Sequence, residues 1–120
     1  MRNNSLCILV RRAPYGQIHA AEALRHASGA LSEGLAVSLL LSGDGVYVAR
    51  DGQNTGDSGF TALSPVLRTL LAKGVNVYAH GPSAQMRGLL DVGQVVPGVQ
   101  VADDDQVASL LAQTGAVIVY

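Results

Sequence analysis

Cysteine is almost absent from this chain: Cys7 stands alone among 120 residues. An internal disulfide is thereby excluded, and a reducing compartment suits such a sequence. Charge is sparse too, at 14% of residues, and a formal net charge of −1 supplies no basic field for holding nucleic acid. No nucleic-acid partner is expected. No charged leader followed by an apolar segment is read at the start, and no apolar run approaches the roughly 20 residues that a membrane helix needs. The expectation is a cytoplasmic protein with no membrane partner. Internal repeats, charge blocks and low-complexity tails are missing as well.

The familiar chemical signatures are also missing. Neither GxGxxG nor GxxxxGK(S/T) follows the first apolar run, which removes the best sequence support for dinucleotide or P-loop phosphate binding. "HGPSA" is not the GxSxG of a nucleophile elbow. His19 and His26 stand seven apart on the first predicted helix, but no Cys, His or carboxylate completes a metal-ligand spacing. Neither a metal nor a cofactor is expected. Cys7 falls in mid-strand, where a thiol packs as a small hydrophobe and reacts little.

What is present is a core. With 48% hydrophobic residues, the 120-residue chain reads as a single domain, 1–120. "SLCILV" (Ser5 to Val10), "LAVSLLL" (Leu35 to Leu41), "VNVYAH" (Val75 to His80) and "AVIVY" (Ala116 to Tyr120) read as strands buried on both faces. A weaker fifth strand is read in "GVQVA", Gly98 to Ala102. Between the first two runs Ile18, Ala21, Leu24, Ala27 and Leu31 recur at helical spacing, with Gly29 and Gly34 punctuating the exit. "SPVLRTLLAKG" offers Ser64 as N-cap, Pro65 at the first helical position and Gly74 past the end. "DDDQVASLLAQTG" places Asp103 three residues before Gln106, a capping-box spacing. This alternation predicts a three-layer α/β/α fold with a parallel sheet of about five strands. "RDGQNTGDSGF", Arg50 to Phe60, reads as an exposed connection, with a lid as its functional alternative.

In an open parallel sheet, ligands sit beyond the carboxyl ends of the strands, so "RRAPYG", "SGDGV" and "HGPSA" decide what chemistry is available. Arg11, Arg12, Tyr15, Asp44, His80 and Ser83 are the polar groups that can converge there. The bland reading is a solvated strand exit for the arginines and a tight turn for Asp44-Gly45. For His80 it is a satisfied strand-end side chain, and for Arg87 a surface charge; the alternatives are ligand contact and closure over an anion.

Four stretches in order resemble one family. "APYGQIHAAEALRHASGAL" is similar to a Pro-x-Gly opening of the first helix, "VSLLLSGDGVYV" to a second strand running into Asp-Gly-Val, "GVNVYAHGPSAQMRGLL" to a third strand, turn and Arg-Gly pair, and "GAVIVY" to a short terminal strand. On these the chain resembles the DsrE/DsrF-like family, which includes the subunits of the Tus and Dsr sulfur relays and the YchN-type proteins. The resemblance implies a sheet with the first strand inside and the C-terminal strand beside it. It also implies a homo-oligomer, trimer or hexamer, or assembly with DsrE-like partner subunits. In the sulfur-carrying members a cysteine stands at the end of the third strand, eight residues before the glycine of Arg-Gly; counting back from Gly88 gives His80. The resemblance thus implies a subunit of the DsrF or TusC kind, lacking the carrier cysteine.

Three functions follow. The favoured one is a non-catalytic DsrE/DsrF-like oligomer subunit associated with intracellular sulfur transfer, with no catalytic residues of its own. The second is a small-molecule or anion-binding module using His80, Ser83, Asp44, Tyr15 and Arg87. The third is an enzyme with His80 as general base and Asp44 as its orienter, which needs a further partner.

Overall fold

A computed structural model describes residues 4–14, 18–51, 63–91 and 94–120. Five strands are β1 (Ser5–Val10), β2 (Ala36–Leu41), β3 (Asn76–His80), β4 (Gln100–Ala102) and β5 (Ala116–Val119). Four helices are α1 (His19–Ser32), α2 (Ser64–Ala72), α3 (Gly81–Met86) and α4 (Asp104–Gln113). The sheet runs β4-β3-β2-β1-β5, and every pairing is parallel. The first strand is therefore inside with the last beside it, as the resemblance implied.

The layering follows from the direction of the crossovers. From β1 through β4 the chain always steps toward the same edge, so right-handed connections put α1 and α2 on one face; the return from β4 to β5 puts α4 on the other. Side-chain parity agrees. Ile8, Val10, Leu39, Leu41 and Val77 share the main core with Ala23, Leu24, Leu67 and Leu70 of α1 and α2. In register on the opposite face lie Leu40, Tyr78 and Gln100, and the last two line a cleft with Gln106, Ser109, Leu110 and Gln113 of α4.

These two layers are unequal. Each helix of the α1/α2 side is anchored by buried residues, whereas α4 buries none of its own. β5 is exposed along its whole length, and the expectation of a strand buried on both faces fails there. The reason is position: β5 is an edge strand, and α4 is too small a cover for the sheet face it crosses.

Two helix boundaries also need correction. Ser64 is the first residue of α2 and is buried; the preceding Leu63 holds the N-cap position, with no side-chain cap. Gly29 lies inside α1, and only Gly34, at φ +90°, breaks it. The capping box of α4 forms as expected: the Asp103 carboxylate accepts from the Gln106 amide at 2.8 Å, and the Gln106 side chain accepts from the Asp103 amide at 2.8 Å. Most of the Arg50 to Phe60 stretch lies outside the described residues.

Candidate functional site

The carboxyl ends of β2, β3 and β4 bring three chain segments together. β2 leads at once into a 3-10 segment, Gly43–Ala49, while β3 leads into α3 and β4 into α4. His80 ends β3 and is the N-cap of α3, which begins right after it at Gly81. Gly81 packs tightly against β4: a Cβ there would meet the Val101 side chain at 3.2 Å and the Ala102 carbonyl at 3.3 Å.

The His80 ring is held on both nitrogens. Nδ1 lies 2.6 Å from Ser83 Oγ, and Nε2 lies 2.6 Å from Asp104 Oδ1. Ser83 Oγ also accepts the Gly43 amide at 2.9 Å. With a neutral ring, the Ser83 hydroxyl accepts from Gly43 and donates to Nδ1 while Nε2–H donates to the Asp104 carboxylate; with a protonated ring both nitrogens donate and Oγ accepts twice. Ser83 is one of two buried polar residues among those described, and these bonds meet the cost of burying it. At the other end, the Asp104 side chain is 81% exposed, while that of His80 is 20% exposed.

Arg87 and Asp44 extend the network. Arg87 Nε and one terminal nitrogen donate to Asp44 Oδ1 at 3.1 and 3.0 Å, and the other terminal nitrogen donates to the Ser83 carbonyl at 3.0 Å. Four of the five expected site residues, Asp44, His80, Ser83 and Arg87, thus fall in one connected cluster. Tyr15 lies outside the described residues. Asp44 is not the orienter of His80; it is held by Arg87 across the mouth of the 3-10 segment, and Asp104 takes that place.

The signal that could have found Asp104 was the register. Parallel pairing sets His80 beside Ala102, so a residue two positions farther along the neighbouring strand's exit arrives next to the ring. No group of three or more His, Cys, Asp or Glu among the described residues can hold a metal ion.

Cys7 lies far from this chemistry in kind. It is fully buried in the middle of β1, and burial pushes its thiol up to about 11 from 9.0. His26 and Tyr120 hydrogen-bond to each other between α1 and the C-terminal residue. None of the helices described is long and apolar enough to cross a membrane.

The profile of the DsrE/DsrF-like family matches residues 4–120. The chain belongs to that family. An uncharacterized protein of Methanopyrus kandleri is 31% identical over 96% of this chain and 93% of its own length. The intracellular sulfur oxidation protein DsrF of Allochromatium vinosum is 39% identical over 82 residues, which span 68% of this chain and 60% of that protein. The crystal structure of the ychN protein from E. coli superimposes over 100% of both chains, with a TM-score of 0.87 at 23% identity. The five-stranded parallel α/β/α architecture is therefore shared with a solved member of this fold.

Proposed function

We propose that this DsrE/DsrF-like chain is a cytoplasmic oligomer subunit associated with intracellular sulfur transfer, non-catalytic in that transfer because it carries no persulfide. The observation that carries the reading is His80. At the end of β3, where a persulfide carrier needs a thiolate, stands an imidazole with both nitrogens occupied. The one alternative sulfur nucleophile, Cys7, is buried and held protonated. The similarity to the A. vinosum protein, named for intracellular sulfur oxidation, supports the sulfur context.

The oligomer is part of the same reading, as a trimer or hexamer of this chain or an assembly with DsrE-like partner subunits. Val117, Ile118 and Val119 are 41%, 44% and 50% exposed on an edge strand without a charge, next to a helix that buries nothing. Uncovered apolar edge strands are prone to pair, and an intersubunit contact removes that hazard. Incubation of the native protein with a persulfide donor, followed by cyanolysis, tests the central claim: no labile sulfur should be released. A persulfide on Cys7 in the folded oligomer would overturn it.

A small-molecule or anion module at the same edge is the second reading, favoured by the convergence of Asp44, His80, Ser83 and Arg87. Arg87 already commits donors to Asp44 and to the Ser83 carbonyl, so an anion must displace Asp44 to reach it. On this reading Asp44→Ala raises affinity for sulfite measured by calorimetry; unchanged heats count against it.

A further inference from the structure

We propose that Ser83 is an activated hydroxyl able to take up small acyl groups from esters or thioesters, with His80 as its general base and Asp104 as the positioning residue. The inference does not rest on the sulfur reading, and it uses a different atom. Its basis is the pair of 2.6 Å contacts that place a hydroxyl, an imidazole and a carboxylate in one line, nucleophile to base and base to orienter. The order of the ring nitrogens is exchanged relative to the serine-hydrolase arrangement, in which Nε2 faces the serine. The exchange does not alter the proton logic, since either nitrogen can accept while the other donates.

The Gly43 amide occupies one acceptor site on Oγ at 2.9 Å, and the 2.6 Å separation of Oγ from Nδ1 lets the hydroxyl donate to a neutral ring. Ser83 is 8% exposed, so only a small acyl group can reach it.

In the first step Oγ forms a bond to the acyl carbon while the bond from that carbon to the leaving oxygen or sulfur breaks. The Ser83 proton passes to Nδ1 and from there to the leaving group. Water then gives a proton to Nδ1 as it attacks the acyl carbon; the bond to Oγ breaks, Ser83 regains its proton and a carboxylic acid leaves. No electrons are exchanged with any other species.

The test uses the intact protein, a fluorophosphonate probe with peptide mapping, and p-nitrophenyl acetate. Stoichiometric labelling at Ser83 is expected, with no label there in Ser83→Ala. His80→Gln should slow labelling by about a hundredfold or more, the scale of general-base assistance. Asp104→Asn should slow it about tenfold and change its pH profile, and Asp104→Glu should restore part of the rate. Asp104 is exposed, so circular dichroism should report a folded protein for both of its variants, keeping the comparison valid even where a His80 variant loses structure. Labelling at Ser83 no faster than at other serines, or a rate and pH profile unmoved in folded Asp104→Asn, overturns the proposal. Because cyanolysis reads sulfur and this experiment reads Oγ, either reading can fail alone.

Discussion

Gly45 lies so close to Val10 that a Cβ on the glycine would fall 2.0 Å from the Val10 carbonyl oxygen and 2.6 Å from its carbonyl carbon. Both obstructing atoms are backbone of a central strand, which cannot retreat without breaking its ladder. Gly45→Ala should therefore cost on the order of 3 kcal/mol or more, the range of severe overpacking. Gly29 is the internal comparison, since it is exposed within α1 and nothing lies within 4 Å of its added Cβ. Gly29→Ala should stabilise by about 0.5–1 kcal/mol through helix propensity. Urea denaturation of the two variants checks both signs, and a neutral Gly45→Ala would contradict the packing at the β2 exit.

That pair also shows what the sequence makes legible. "SGDGV" was readable as a turn after a strand, because Gly and Asp punctuate locally. That its second glycine supports the β1 carbonyl was not readable, since the contact is made across two strands. The same division holds at the site. His80, Ser83, Asp44 and Arg87 could be collected from strand exits, whereas Asp104 was read only as part of a cap. Its pairing with His80 depends on the β3–β4 register, which no local pattern encodes. Exposure of β5 was hidden for a related reason: "AVIVY" has the composition of a buried strand, and only the topology puts it at an edge.

Cys7 links packing to pH. Its thiol is pushed up to about 11 from 9.0 by burial, so at pH 8 the thiolate is about a hundredfold scarcer than in the unfolded chain. Iodoacetamide should label the native protein slowly and the urea-unfolded protein readily. The sign of the stability effect follows from the raised value. Below pH 9 both states hold the proton and nothing is lost; above it the unfolded state ionises first, and stability falls through the window from 9 to about 11. The loss is on the order of 2 kcal/mol, and Cys7→Ala should lack that slope while tyrosine and lysine titration remain. Parallel melting-temperature profiles of the two proteins over this window decide it.

The capping box of α4 carries more than its usual weight. Because the helix buries no residue, its first turn depends on the reciprocal bonds between Asp103 and Gln106 and on the favourable placement of Asp104 and Asp105 near the positive helix end. Removing the cap with Asp103→Ala should cost about 1 kcal/mol, and Asp103→Ser should recover most of it. The loss should be local. Amide exchange should accelerate about fivefold within α4 and little in α1 or β1, where opening requires breaking the main core. Uniform acceleration along the chain would mean that α4 is tied to the rest more firmly than its exposure indicates.

The apolar edge supplies the last prediction. Val117 and Val119 share the α4 side of the sheet with Cys7 and Leu9, as the β1–β5 register shows, while Ile118 points to the α1 side; all three are substantially exposed. If neighbouring subunits cover this edge, a charge placed there must be desolvated on assembly, and burying an unpaired carboxylate costs several kcal/mol. Val117→Asp and Val119→Asp should therefore lower the native mass by sedimentation or mass spectrometry at micromolar concentration. Because both positions are already open to water in the single chain, the separated subunit should keep its circular dichroism spectrum. A substitution on an exposed polar position of α1, such as Arg25→Gln, should leave the mass unchanged. An unassembled wild-type chain would defeat the oligomer itself. A full-sized assembly in both valine variants would instead place the contact elsewhere on the surface and leave β5 as a bare edge.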